Sequence, residues 1–184
     1  MMSRKLSTIS TSRYNARMEQ DKIDFICEQW RQESPPLDTS PLGIVGRVLR
    51  IARLLEKHRE MVLAEYGLSV WSFDVVTTLR RQGKPYQLKP TDLYSLLMLS
   101  SGATTNRIDR LEQDGIVTRL RDPSDRRSVI VQLTSKGVQL ADLVIPKLLK
   151  SEQDLLSQFA NPDERESFIK MLRQLLISLD NILD

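Results

Sequence analysis

The sequence predicts a mainly α-helical fold with a small β-hairpin wing, arranged as a winged helix–turn–helix between long N- and C-terminal helices. Three observations carry this. Apolar residues recur at helical spacing along most of the chain. One stretch, Ile116 to Leu133, turns instead to short β-rich runs on either side of a basic turn. Directly before it stands a hydroxyl-rich helix closed by Gly115.

Composition sets the frame. The chain has 184 residues, 40% hydrophobic and 28% charged, which is enough apolar material for an ordinary globular core. That length corresponds to one domain, or one domain with an extension. The single cysteine, Cys27, excludes an intramolecular disulfide and fits a reducing compartment. With one cysteine and one histidine, His58, a four-ligand Cys/His zinc site cannot form, and neither metal nor cofactor is expected. The densest apolar run, Leu93 to Leu99, is far too short to span a bilayer, so no membrane partner is expected. The net charge of +3 permits nucleic-acid binding but does not demonstrate it. Met1 to Met18 lacks a secretory h-region. Its Arg4, Lys5, Arg13 and Arg17, with no acid before Glu19, read as a basic disordered tail.

The elements follow in order. Ile23, Ile26 and Trp30 predict a helix over Glu19–Glu33, stopped by Pro35-Pro36. Ser40 as N-cap and Pro41 at the first position open a helix running to about Tyr66, with Gly67 as its left-handed terminator. Val45, Val48, Ala52 and Leu55 form one stripe along it, widened by Ile44, Ile51 and Leu54. A surface that broad calls for burial on more than one side, as a dimer interface provides. Ser69 caps a helix ending near Gly83, a loop covers Lys84–Lys89, and a short helix covers Thr91–Leu97. A further helix runs from about Ser101 to Gln113. Val129, Val131 and Leu133 share one face of the second hairpin strand. Thr134 caps a helix broken or kinked at Pro146. Asn161-Pro162-Asp163-Glu164 starts the last helix, which is expected to bury Phe168, Met171, Leu172, Leu175, Leu176 and Leu179.

In a winged helix–turn–helix the second helix enters the major groove with its N-terminal residues at the bases. Here that helix turns Ala103, Ile108 and Leu111 to the core. Small hydroxyl side chains and free N–H groups at its start suit phosphates and base edges. Ser101, Thr104, Thr105, Asn106 and Arg110 are therefore the candidate contacts. The hairpin tip adds Arg121, Arg126 and Arg127, since arginines on a protruding turn suit a narrow, electronegative minor groove. Asp125 beside them is suited to orient a guanidinium through a bidentate pair.

Residues Pro90 to Gly137 resemble the MarR family of bacterial transcription regulators, above all Thr104 to Val117, Asp122 to Arg127 and Leu133 to Gly137. The resemblance extends over roughly Ser40 to Asp184. It implies an obligate, triangular homodimer built by N- and C-terminal dimerisation helices. It also implies a palindromic operator in double-stranded DNA, read by one recognition helix and one wing per half-site, in the bacterial cytoplasm at the nucleoid. Within the family's wing pattern Arg127 matches the minor-groove arginine, Asp125 its brace, and Arg126 the variable position. The organisation then reads as a basic tail (1–18), an extra helix (19–34), a dimerisation helix (40–66), the winged helix–turn–helix (67–134) and C-terminal dimerisation helices (135–184).

The extra helix before the usual first dimer helix resembles the urate-responsive branch of the family. Trp30, Asp74 and Arg107 fit that branch's ligand positions. A ring can stack on a purine and a guanidinium can bind an anionic oxygen, while a nearby carboxylate would be repelled by the same anion. Each residue also has a plain structural use: Trp30 in a core or dimer interface, Asp74 in a salt bridge with Arg80, Arg81 or another base, Arg107 on phosphate. The expectation is a ligand-responsive regulator, a repressor, released by a small aromatic anion such as urate. Alternatives are a response to phenolic compounds, or to oxidation at Cys27, whose position matches the family's peroxide-sensing cysteine poorly. An enzyme is not expected, because no phosphate loop, nucleophile elbow or His-Glu-x-x-His motif occurs. A winged helix used only for protein contact is disfavoured by the outward Thr104, Thr105 and Arg110 and the wing arginines.

Overall fold

The computed structural model describes residues 20–97, 105–123, 128–157 and 161–183, with the side chains of Thr105 and Asn106 excepted. The chain divides into two compact units between His58 and Arg59.

The first unit holds α1 (Lys22–Glu33) and most of α2 (Ser40–Ala64). Helix α1 starts later than its periodicity predicts because Asp21 and Asp24 form a reciprocal capping box there. Arg47 of α2 clamps the same two carboxylates, donating from Nε to Asp21 at 2.7 Å and from Nη2 to Asp24 at 2.6 Å. The hydrogen bond from Arg47 is the main reason the Asp24 carboxyl titrates below the ordinary carboxylate range. Gly46 lets the helices close, since a Cβ there would lie 3.1 Å from Ile23. Ser40 is the first helical residue rather than the cap. The carboxylate of Asp38 accepts from its N–H at 2.9 Å and from its hydroxyl at 3.0 Å, adding negative charge at the positive end of the helix.

The second unit carries the hydrophobic core. Helix α3 (Val70–Arg80) is capped by Ser69 as expected, followed by β1 (Gln87–Leu88), α4 (Pro90–Leu96) and α5 (Thr105–Gln113). Then come β2 (Val117–Arg121), β3 (Val129–Leu133), α6 (Ser135–Leu155) and α7 (Pro162–Leu183). The three strands are antiparallel in the order β1-β3-β2, with Leu88 opposite Val131 and Arg119 opposite Val131 on the other side. Strand β1 falls in the segment expected to be a loop; two residues are too few to show a period. Leu63, Val76, Leu79, Leu93, Val131 and Val144 are fully enclosed.

Val129, Val131 and Leu133 share one face of β3 as expected, with Val131 and Leu133 buried and Val129 exposed at the end of the strand. Two expectations are corrected. Helix α6 runs unbroken through Pro146. Helix α7 begins at Asn161-Pro162 as expected but buries none of its residues, and Met171, Leu172, Leu176 and Leu179 are exposed. Its amphipathic pattern has no core to face among the described residues. The stripe of α2 is likewise open at Ile44, Val45, Val48, Ile51, Leu54 and Leu55. Among the described residues no helix is long and apolar enough to cross a membrane.

Candidate functional site

Helix α5 is fixed from both sides. Ile108 and Leu111 are buried in the core, one helical turn apart, so Arg107 and Arg110 fall on other faces. Arg110 is exposed. The helix ends at Gln113, and the turn after it passes through Gly115, whose φ of +68° is costly for any side chain.

Arg119 of β2 joins the helix to the hairpin. Its guanidinium reaches Asp109 at 2.5 Å and Glu112 at 2.6 Å, and its backbone N–H donates to the other oxygen of Glu112 at 2.8 Å. Burial opposes its charge, yet the two carboxylates hold its pKa above the ordinary arginine value. The C-terminal end of α5 is tied to α6 as well. The Thr134 hydroxyl donates to the Gly115 carbonyl at 2.7 Å, and Lys136 donates to the Asp114 carbonyl at 2.7 Å. Gly137 packs so closely on Ile116 that an added Cβ would lie 2.2 Å from its carbonyl oxygen.

At the base of the wing, Arg121 is exposed at the end of β2, opposite Val129. Ser101, Thr104, Asp125, Arg126 and Arg127 lie outside the described residues, as do Ala103 and the tail Met1 to Met18; Thr105 and Asn106 are placed on α5 by backbone alone.

The expected ligand residues fall in both units. Trp30 is half exposed on α1. In the second unit Asp74 accepts from Nη2 of Arg59 at 2.8 Å. Its partner is thus neither Arg80, which binds Asp142 at 2.8 Å, nor Arg81. Arg107 places its guanidinium 5.5 Å from the centre of the Trp71 ring, so its charge faces an aromatic surface on α3.

Arg59 borders an open cleft of about 580 Å³ lined also by Phe73, Thr77, Arg80, Arg81 and Leu148. Its guanidinium lies 5.6 Å from the Phe73 ring centre. Its Nε is buried without a hydrogen-bond acceptor among the described residues, 3.7 Å from the Glu152 carboxylate. Phe73, Ile145, Leu148 and Leu149 give the cleft an apolar wall, and its charged lining combines the three arginines with the carboxylate of Glu152. Sequence reading assigned neither Arg59 nor Trp71 to a site. Both lie on helical stretches whose periodicity accounts for them without a site. Among the described residues no cluster of His, Cys, Asp and Glu is arranged to hold a metal ion.

Residues 68–129 match the family model described as MarR family. The chain is 37% identical over 143 residues to the HTH-type transcriptional regulator PecS of Dickeya dadantii (strain 3937), covering 78% of this chain and 86% of that protein. It is 30% identical over 138 residues to the uncharacterized HTH-type transcriptional regulator YkoM of Bacillus subtilis (strain 168), covering 73% and 84%. Its fold resembles that of AbsC, a MarR family transcriptional regulator from Streptomyces coelicolor, with a TM-score of 0.69 at 23% identity over 79% of this chain and 98% of that one. It also resembles the transcriptional repressor CouR bound to a 23-mer DNA duplex, with a TM-score of 0.62 at 27% identity over 76% and 98%.

Proposed function

Since this chain belongs to the MarR family of DNA-binding transcriptional regulators, we propose that it is a homodimeric repressor of a palindromic operator, released by a small aromatic anion such as urate. The observation that carries the ligand reading is the pairing of Arg59 with Asp74 at the edge of an apolar cleft. An anion entering beside Phe73 competes with Asp74 for the guanidinium. Asp74 lies on α3 one turn from Trp71, on which Arg107 of the recognition helix rests. Displacing Asp74 therefore shifts the helix that holds Arg107. Trp30 is assigned to the ligand by its match to the urate-responsive branch alone.

The repressor reading is supported by relatives such as CouR, named as a transcriptional repressor. The homodimer reading is supported by the open apolar stripes of α2 and α7, since buried apolar area stabilises association by roughly 25 cal/mol per Å². In this reading Ser101, Thr104, Thr105, Asn106 and Arg110 meet the major groove, and Arg121, Arg126 and Arg127, braced by Asp125, meet the minor groove. Half-sites then lie about 10 bp apart, one helical turn. The protein works in the cytoplasm, at the nucleoid.

The test is a fluorescence-anisotropy titration on DNA upstream of the protein's own gene, with and without urate. Tight binding that urate releases supports the whole reading. Binding indifferent to urate but relieved by salicylate or peroxide moves the signal to phenolic compounds or to Cys27. Affinity that does not fall with salt, where about −0.9 in log K per neutralised phosphate is expected, sinks the DNA reading.

A further inference from the structure

Asp122, directly after β2, is 4% exposed, an unusual place for a carboxylate on a hairpin that projects toward DNA. Its backbone N–H donates to the Ser128 carbonyl at 3.0 Å and closes the base of the wing loop. Its carboxylate turns inward and meets Nζ of Lys89 at 2.9 Å. The backbone of Lys89 is fixed as well, although its side chain is partly exposed. Lys89 follows β1 directly and serves as the N-cap of α4, its carbonyl accepting from Leu93 at 2.9 Å.

A lysine is a poor residue at that position. It makes no side-chain cap hydrogen bond and sets a cation at the positive end of the helix. Local helix chemistry does not account for it, whereas the buried carboxylate across the fold does. The pair links the wing base to the start of the helix–turn–helix, three residues before Asp125 and five before Arg127 in the chain. Strand pairing sets the register of the hairpin, and the Lys89–Asp122 pair adds a tie from the base of its loop to the start of α4.

We propose that the Lys89–Asp122 pair aims the wing, setting the direction from which the tip arginines approach the minor groove. This rests on the reading of Arg127 as a minor-groove contact, and neither Lys89 nor Asp122 touches DNA in it. They are positioning residues.

The test uses the full-length protein and a 40-bp duplex selected by the wild type from a random library. Asp122→Asn and Lys89→Met are expected to lower operator affinity at least tenfold with folding intact by near-ultraviolet circular dichroism. Both are expected to lose the preference for A·T over G·C pairs beneath the wing. The salt slope is expected to shrink by the same amount as in Arg127→Ala, about one phosphate. Adding Asp122→Asn to Arg127→Ala is expected to weaken binding no further, and Lys89→Arg to restore it to within threefold. If Asp122→Asn misfolds, Lys89→Met carries the comparison. Retained flank preference and slope in either folded variant overturns the proposal, as do losses that multiply with Arg127→Ala. An Arg127→Ala variant that binds like wild type overturns the wing reading itself, and a wild type that selects no duplex overturns the DNA reading.

Discussion

Arg59 and Asp74 form an ion pair at 2.8 Å between the C-terminal part of α2 and α3, and the same guanidinium lies against the ring of Phe73. One cation is thus shared by a carboxylate and an aromatic face at the rim of a cleft. Asp74→Asn frees the guanidinium for an incoming anion. It is expected to tighten urate or salicylate binding several-fold by isothermal titration calorimetry, with operator affinity in the ligand-free state nearly unchanged. Trp30→Ala is expected to act in the opposite direction and blunt the response to urate. Wild-type ligand response in both variants removes these residues from the sensor.

Arg127→Ala is expected to weaken operator binding by about 1–3 kcal/mol, the usual worth of an arginine committed to the groove. Anisotropy titrations at several salt concentrations check this. Arg110→Ala, on the exposed face of α5, is expected to weaken binding through the major groove instead.

Arg119→Ala breaks bonds to both Asp109 and Glu112 and leaves two carboxylates side by side. Charge-assisted hydrogen bonds contribute about 1.5–3 kcal/mol, so a stability loss of roughly that size is expected in urea unfolding. Operator affinity is expected to fall with it, since Arg119 registers α5 against the hairpin.

Gly137→Ala places a methyl group 2.2 Å from the Ile116 carbonyl oxygen. Backbone on both sides leaves little room to relax. A loss of about 1–3 kcal/mol is expected from overpacking, read as a lowered midpoint of denaturant unfolding. A neutral result means that α6 can slide away from the end of the recognition helix.

The clamp on α1 is sensitive to acid. Arg47 and neighbouring backbone donors depress the Asp24 carboxyl; at Asp21 partial burial works the other way, but the Asp24 contact and Arg47 still leave its carboxyl depressed. Between their folded and unfolded pKa values the unfolded chain binds more protons, so their contribution is complete above the ordinary carboxylate range and fades as pH falls below about 4. Trp30 fluorescence in acid is expected to report α1 loosening in the wild type. Arg47→Ala is expected to be loose already at neutral pH and to show a smaller change in acid.

Much of this fold was legible because its signals are local. The cap at Ser69, the cap at Thr134, the left-handed stops at Gly67, Gly83 and Gly115, and the start at Asn161-Pro162 depend on hydrogen bonds within a few residues. The hairpin was legible because two β-rich runs flank turn chemistry. At the candidate site, Arg110 could be placed on the outer face of its helix from the spacing of Ile108 and Leu111 alone.

What lies beyond those ranges was decided by tertiary structure. Strand β1 exists only because β3 offers it an edge at Gln132 and Val131. Asp74 had several bases within plausible reach, and only packing selects Arg59 for it and Asp142 for Arg80. The same holds for Lys89 and Asp122, 33 residues apart by their numbering and joined across the base of the wing. Helix α7 shows the converse: its periodicity determined an apolar stripe, but whether one chain can cover that stripe depends on where the core lies. Periodicity and caps follow from bonds made within one or two helical turns, which the order of residues states outright. The partner of a charge or the cover of a stripe follows from which surfaces meet, and that is settled only when the whole chain minimises its exposed apolar area and unpaired charge together.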